Sequence, residues 1–238
     1  LLPSYAGSLL EEEVTALARA LTPAHPALAV IGGAKFNTKV AMFSTLLTAY
    51  DHVFVGGALA DDFLKASGVE VGKSLVSGAD RGALKKLLAS PKLILPKDFI
   101  VVPVSAVGAP APARGDAAAR GRVAAAGEVR LDEVILDHGP DTVALLGALA
   151  RKAKTILWNG PLGNYENGFT DATDAFARAV ADSNARSVVG GGDTVAAIER
   201  LGLLPRFSFV STGGGAMLQF LAHGTLPGIE ALESHARD

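Results

Sequence analysis

The chain has 238 residues, of which 49% are apolar and 19% charged, and its formal net charge at pH 7 is −2. A chain this long and this apolar can bury a sizeable core, which excludes global disorder, and an α/β fold of this size usually forms a single domain. The charge balance provides no basic field for nucleic acid or anionic membranes, and the lack of cysteine excludes disulfides, thiolate zinc sites and thiol catalysis.

The termini and the hydropathy pattern give no targeting signal. No segment reaches the roughly 18 uninterrupted apolar residues of a membrane-spanning helix, so no transmembrane segment is predicted. Residues 1–13 lack the basic and apolar regions of a secretory signal. We expect a cytoplasmic monomer, and since the sequence does not begin with Met, we expect it to be part of a longer or processed product.

The first predicted element is a helix over residues 8–21. Ser8 and Glu11 have the spacing of a capping box, and Pro23 and Pro26 follow the helix. Apolar residues recur at helical spacing within it, at Leu9, Leu10, Val14, Leu17 and Leu21.

Short apolar runs that end in glycine then recur along the chain. They lie at 29–31, 53–55, 156–158, 188–189 and 207–210, and helical patterns follow most of them, at 40–50, 171–181, 195–201 and 216–221. Repeated strand, glycine turn and helix predict a parallel sheet with helices on both faces. Each glycine turn alone is more typical of a plain tight connection, but five turns at one sheet edge favour a phosphate-binding crevice.

The segment 106–127 differs from the rest of the chain because it is rich in Ala, Gly, Pro and Arg. We interpret it as an exposed loop or a weakly specified hairpin extension. Arg114, Arg120 and Arg122 could contact an anion there, but the absence of interleaved aromatic residues favours a solvated loop.

Two lysines follow the first glycine turn. Lys35 and Lys39 come after Gly32 and Gly33 in a pattern that matches neither a Walker A loop nor a GxGxxG fingerprint. If a helix starts near Lys35, both ammonium groups share its positive end, where an anion would relieve their repulsion. The alternative is a pair of solvated surface lysines.

Three later turns carry further candidate ligands. The backbone N–H groups of 190–192 and 213–215 can approach an anion closely because glycine has no Cβ. Asp193 is suited either to the first turn of a helix or to holding Mg²⁺ against phosphates. Asn159 could bind a phosphate and Glu166 ribose hydroxyls, or the 158–166 segment is only a turn fixed by Pro161.

The whole chain resembles the C-terminal half of phosphoglycerate kinase. Eight motifs occur in the family's order: GGAK at 32–35 with Lys39, VGKSL at 71–75, LPKD at 95–98, LDHGP at 136–140, WNGP at 158–161, GGGDT at 190–194, STGGGA at 211–216 and LPG at 226–228. The resemblance implies a doubly wound, Rossmann-like nucleotide domain over 1–238 that includes the interdomain helix 8–21 and binds ADP or ATP with Mg²⁺. It also implies that the family's N-terminal domain, which binds phosphoglycerate, is absent from this chain.

The resemblance also assigns roles. It implies that the complete enzyme moves a phosphoryl group reversibly between 1,3-bisphosphoglycerate and ADP in glycolysis, and we expect the chain alone to bind Mg-nucleotide with little turnover. Catalytic roles are implied for Lys35, which would stabilise the phosphoryl group in flight, and for the main-chain donors Gly192 and Gly215. Asp193 is the implied metal ligand. The implied nucleotide-binding set is Lys39, Gly56, Gly57, Asn159, Glu166, Gly191, Gly192, Asp193, Thr194, Gly213 and Gly214.

Two other functions are compatible with parts of the pattern. One is a non-catalytic, truncated nucleotide-binding module. The other is a dinucleotide-dependent oxidoreductase in which Asp51 binds ribose, although the GxGxxG spacing is missing and the lysine pair has no role there.

Family members usually carry Gly where Ala58 and Ile135 stand, and we expect Ile135 to narrow the adenine slot. His138, near the proposed site, is interpreted as structural because phosphoryl transfer needs no titrating base.

Overall fold

The computed structural model describes residues 5–34, 39–108 and 121–235. The strands within these ranges are β1 Ala27–Ile31, β2 His52–Val55, β3 Leu93–Ile94, β4 Asp98–Pro103, β5 Arg122–Ala125, β6 Glu133–His138, β7 Thr155–Asn159, β8 Arg186–Gly190 and β9 Phe209–Val210. The helices are α1 Ser8–Leu21, α2 Val40–Ala49, α3 Ala58–Ala66, α4 Arg81–Leu88, α5 Pro140–Lys152, α6 Asp171–Ala181, α7 Gly192–Arg200, α8 Gly215–His223 and α9 Pro227–His235.

The main sheet has six parallel strands in the order β3-β2-β1-β7-β8-β9. The chain starts at the centre with β1, moves outward through β2 and β3, and returns to β7 beside β1 before moving outward again. This is a doubly wound arrangement, so the predicted α/β fold is confirmed. Its switch point, between β1 and β7, is the place where such sheets bind ligands.

Both faces of the sheet are covered because the central strands are apolar on both sides. On β1, Ala29 and Ile31 pack with α1, α2, α3 and α8, whereas Leu28 and Val30 pack with α5, α6 and α7. All five residues of β1 are buried. Trp158 of β7 stacks edge-on against Phe176 of α6 with ring centroids 4.9 Å apart, which holds α6 against the sheet.

A second, antiparallel sheet with the order β5-β4-β6 lies beside the main one and was not predicted. In the 106–127 segment, β5 pairs with β4, so residues 122–125 form a hairpin extension, while Arg114 and Arg120 lie outside the described residues. Arg122 is not free for an anion, because its Nη2 lies 2.7 Å from the Glu133 carboxylate.

The capping-box prediction for α1 is wrong. Gly7 is the N-cap residue, with extended dihedral angles, and Ser8 is already helical and makes no capping hydrogen bond. The amides of Leu10 and Glu11 donate to the Gly7 carbonyl instead. Glu11 remains in the first turn, where its charge is favourable against the helix dipole.

Across the residues that the structure describes, no helix combines the length and apolarity needed to cross a bilayer.

Candidate functional site

The glycine turns after β1 and β7 meet at the switch point of the sheet. The Gly32 amide donates to the Asn159 carbonyl (2.8 Å), and the Gly33 amide donates to the Pro161 carbonyl (3.0 Å). The turn after β8 joins them through Thr194 of α7, whose Oγ1 accepts from the Gly160 amide (2.9 Å). The prediction that the glycine turns converge on one edge of the sheet is therefore confirmed for these strands.

The turns approach each other so closely that a side chain would not fit. A Cβ on Gly32 would lie 2.1 Å from the Pro161 carbonyl oxygen and 2.7 Å from that of Gly160. Gly57, which follows β2, has φ +63° and would place a Cβ 2.7 Å from the Gly33 amide nitrogen. Glycine is thus required at the switch point by packing as well as by backbone conformation.

Helices α3, α7 and α8 begin at this edge with no described side chain on their first amides, although in α3 the Leu59 amide already donates to the Gly33 carbonyl (2.8 Å). Their N-cap residues are Gly57, Gly191 and Gly214, and none makes a side-chain capping hydrogen bond. In contrast, the first turn of α5, next to the second sheet, receives the Asp98 carboxylate on the Asp141 and Thr142 amides. Uncapped N-termini present N–H donors and the positive end of the helix dipole, which together suit an anion.

Lys39 is the N-cap residue of α2 and is buried, with 6% of its surface exposed. Its Nζ donates to the Gly32 carbonyl at 2.5 Å, and burial lowers the pKa of its ammonium group to about 8. Helix α2 begins at Val40, in agreement with the helical pattern over 40–50, so a helix start near Lys35, the condition for the two lysines to share one helix end, is not met and Lys39 precedes the helix. Lys35 itself lies outside the described residues.

The remaining predicted ligands differ in exposure. Asp193, in the first turn of α7, is exposed, and no described side chain pairs with it. Asn159 is buried, with its Nδ2 3.8 Å from the Met217 sulfur beneath the 213–215 turn. Thr194 is fully buried and its hydroxyl is used by the Gly160 amide. Gly192 and Gly215 are exposed, and an added Cβ at either would meet nothing within 4 Å.

A cleft of about 670 Å³ opens beside these turns, between the strand ends and β6 of the second sheet. Gly33, Gly57, Glu166 and Asp193 line it, so the structure brings these four predicted or adjacent site residues around one cavity. Much of its wall is apolar, from Leu75, Val104, Val107, Val134, Ile135 and Leu162. Lys39, Gly56, Asn159 and 213–215 lie at the same sheet edge but outside the wall of this cleft.

His138 supports the wall of the cleft at the Gly57 turn. Its Nε2 accepts from the Gly57 amide (3.1 Å), and its ring packs edge-on against Phe54 with centroids 5.7 Å apart. Burial lowers the pKa of His138 to about 4, so the imidazole is neutral near pH 7. The histidine holds the Gly57 turn in place, in agreement with its structural interpretation.

The sequence did not single out Glu13 or Asp61. Glu13 of α1 accepts from the Ser211 hydroxyl (2.9 Å) and from the Thr212 amide (2.5 Å), which anchors the turn before α8. Asp61 of α3 lines the cleft. The only signal for Asp61 in the sequence is an acidic pair within an otherwise largely apolar helix.

Asp51 does not support the oxidoreductase hypothesis. It precedes β2, and its carboxylate lies 2.7 Å from both the His25 Nδ1 and the Ala27 amide. Since Ala27 begins β1, Asp51 lies at the amino ends of the strands, across the sheet from the glycine turns. A ribose bound at the switch point is therefore out of its reach, and that prediction is wrong.

Comparison with known proteins adds an independent observation to this geometry. The sequence model of the phosphoglycerate kinase family matches residues 1–224. The chain belongs to the phosphoglycerate kinase family. It is 44% identical over 238 residues to the phosphoglycerate kinase of Nitratidesulfovibrio vulgaris and 41% identical over 245 residues to that of Dinoroseobacter shibae.

Solved phosphoglycerate kinases share the fold. The enzyme from Coxiella burnetii superposes with a TM-score of 0.84 at 40% identity, and that from Pyrococcus horikoshii with 0.77 at 30% identity. These matches cover 98% and 97% of this chain but only 58% and 57% of those proteins. The matches to the Nitratidesulfovibrio vulgaris and Dinoroseobacter shibae proteins likewise cover 97% and 98% of this chain but only 58% and 60% of those proteins. The chain thus spans little more than half of a typical phosphoglycerate kinase.

Proposed function

We propose that this chain is the nucleotide-binding half of a phosphoglycerate kinase. The complete enzyme would transfer a phosphoryl group reversibly between 1,3-bisphosphoglycerate and ADP in glycolysis, in the cytoplasm and as a monomer. The observation that carries the proposal is the convergence of the N-termini of α7 and α8, whose first amides meet no described side chain, on one sheet edge beside a cleft that Asp193 and Glu166 line. The acyl phosphate would be held by the part of the relatives that this chain does not match.

In this proposal the phosphate groups of ADP or ATP lie against the amides of α7 and α8. Gly192 and Gly215 expose main-chain donors there, and the absence of a Cβ lets a phosphate oxygen come within hydrogen-bond distance. Lys39 is close enough to the β1 turn to exchange its bond to the Gly32 carbonyl for a phosphate oxygen. Fixed donors around the equatorial oxygens are what phosphoryl transfer requires of the protein.

The residues at the site fit Mg²⁺ bound jointly by protein and nucleotide. Asp193 supplies one exposed carboxylate, and the described residues contain no cluster of three or more metal-ligating side chains. Mg²⁺ commonly uses one or two carboxylates together with substrate phosphates. When bound, the ion would offset the negative charge of the phosphate oxygens, and Asp193 would orient it at the start of α7.

The ribose and base would occupy the cleft. Glu166 lies exposed in the short turn after β7, where its carboxylate can accept from ribose hydroxyls. The apolar wall, including Ile135, suits the flat face of a purine. Lys35 is proposed to stabilise the transferring phosphoryl group, as its place in the GGAK motif implies.

An assay of phosphoryl transfer from 1,3-bisphosphoglycerate to ADP tests the function. We expect the 238-residue chain alone to show little turnover, and we expect turnover to appear when the unmatched part of the Nitratidesulfovibrio vulgaris relative is added. Positioning of two substrates can contribute ~7–11 kcal/mol to lowering a barrier, and one half cannot position both.

The complemented mixture has a matched negative control, Asp193→Ala, which should remain inactive. Substantial turnover by the chain alone would contradict the proposal that this chain binds the nucleotide while the unmatched part binds the acyl phosphate. Failure of the mixture, with both parts folded and ADP bound, would favour a non-catalytic nucleotide-binding module instead.

A further inference from the structure

Two neighbouring carboxyl groups on α3 have different environments. Asp62 is satisfied, because it accepts from the Ser77 amide and from the Ser77 hydroxyl, both at 2.8 Å. Asp61 is 1% exposed, and neither of its oxygens has a hydrogen-bond partner among the described residues. Burying a carboxyl group without a partner is costly, so this arrangement requires an explanation beyond the fold.

Asp61 lines the cleft in which the nucleotide is proposed to bind. It lies one turn into α3, beyond the Gly57 N-cap, and Leu75 and Ile135 line the same cleft. Lys73 lines the same cleft but forms neither an ion pair nor a hydrogen bond with Asp61. Burial, with a smaller effect from the Asp62 charge, raises the pKa of Asp61 well above its usual range.

A phosphate is not the partner of this group. The anion-binding elements at this edge are the helix N-termini and Lys39, and a carboxyl group would repel or compete with a phosphate. A metal ion is also a poor fit, because the neighbouring Asp62 carboxylate is already used by Ser77 and the proposed phosphate sites, which would share a metal, lie at the starts of α7 and α8. The missing partner must be a hydrogen-bond donor on a flat, largely apolar ligand, which describes the amino-bearing edge of a purine.

We propose that Asp61 is a specificity-determining residue that accepts a hydrogen bond from the exocyclic amino group of the bound purine base. This inference rests on the proposed nucleotide-binding function and assigns the part of the site that recognises the purine base. A protonated carboxyl group has one acceptor and one donor, which match the N6 amino group and the N1 acceptor of adenine. An ionised carboxylate keeps the acceptor, so the amino group is recognised in either state.

The inference predicts strong discrimination against a base without the amino group. When a buried polar group of the site is left unpaired, the analogue is rejected far more strongly than by apolar contacts alone. We therefore expect ADP to bind the chain at least ~10-fold more tightly than purine riboside 5′-diphosphate, which differs from ADP only by lacking the amino group.

The test is titration calorimetry of both nucleotides, with Mg²⁺, against the 238-residue chain and three variants. In Asp61→Ala the ratio of the two dissociation constants should fall to within about two-fold, because the acceptor is gone. Asp61→Asn keeps an acceptor and a donor and should retain the preference. Asp62→Asn, the matched control on the same helix, should leave the ratio unchanged. Thermal unfolding of the nucleotide-free Asp61→Ala chain should show no loss of stability, since a buried unpaired group has been removed.

Three results would overturn the inference. Equal affinity of the unmodified chain for both nucleotides would do so and leave the proposed function intact. A preference for ADP that survives in Asp61→Ala would show that another group reads the amino group. Binding of neither nucleotide by the unmodified chain would instead remove the proposed nucleotide-binding function, and this inference with it.

Discussion

Replacement of Lys39 by methionine is expected to weaken MgADP binding by about 100-fold or more without lowering the stability of the chain. The ammonium group is the one described cation that bonds to the β1 turn at the switch point. Charge-assisted bonds to phosphate in a buried site are among the strongest that a side chain makes. Methionine preserves the length of the side chain and removes its charge.

The stability of this variant follows from the pKa of Lys39. The folded-state pKa of about 8 lies below the ordinary lysine value of 10.5, so burial of the charge costs on the order of 3 kcal/mol at every pH below 8. This cost decreases as the pH rises from 8 to 10.5. Methionine removes the cost but leaves the Gly32 carbonyl without its donor, which offsets about 1–3 kcal/mol of the gain. The melting temperature at pH 7 should therefore stay unchanged or rise.

Calorimetric titration and thermal unfolding measure the two effects separately. Lys92→Met is the matched control, because the Lys92 ammonium also donates to backbone carbonyls, at Leu47 (3.0 Å) and Thr48 (3.3 Å), but it precedes β3 at the opposite end of the strands. In the unmodified chain, phosphate should favour the charged lysine, so MgADP affinity should fall as the pH rises above 8, and Lys39→Met should flatten that profile. Less than three-fold weakening in Lys39→Met would contradict the role of this residue.

Replacement of Gly32 by alanine is expected to destabilise the fold strongly. The new Cβ would lie 2.1 Å from the Pro161 carbonyl oxygen and 2.9 Å from the Pro161 carbonyl carbon, and both are backbone atoms that cannot rotate away. The turns after β1 and β7 would have to separate and lose the hydrogen bonds between them. We expect a loss of about 3 kcal/mol or more, which lowers the melting temperature of a chain of this size by roughly 6 °C or more.

Gly228→Ala provides the matched control. Gly228 lies in the first turn of α9 with nothing within 4 Å of its added Cβ, so alanine there adds one methyl group without a clash. Its melting temperature should be unchanged or slightly higher. A Gly32→Ala chain that melts within about 2 °C of the unmodified chain would show that the two turns are not held together as described.

The main sheet was predictable because the residues that specify each strand lie within that strand and the turn that follows it. A parallel strand buried on both faces reads as a continuous apolar run, as in Ala27–Ile31, and the tight turn after it requires glycine. The capping box failed for a local reason too, since the extended backbone of Gly7 makes it the N-cap residue and leaves Ser8 within the helix. The second sheet was missed because β4 pairs with β6, which begins some 30 residues further along the chain, a distance at which turn residues give no information.

The site was predictable to the extent that topology determines it. Parallel strands bring their carboxyl ends to one edge, so the glycine turns and Asp193 had to meet. The same rule excludes Asp51, which precedes its strand. Asp61 and Glu13 belong to helices, and their roles depend on which helix face meets the cleft or the turn before α8. That orientation follows from packing between layers, which the spacing of residues along one helix does not encode.

The most direct test of nucleotide binding at this edge is a calorimetric titration of the 238-residue chain with MgADP, repeated with Gly192→Ala. The space around the Gly192 Cβ position is open, so alanine there should leave the melting temperature unchanged and act only on a ligand that approaches the start of α7. We expect saturable binding by the unmodified chain, with a melting temperature that rises with MgADP concentration, and binding at least ~10-fold weaker in Gly192→Ala. No heat and no thermal stabilisation at millimolar MgADP, or equal affinity of the two chains, would contradict the account.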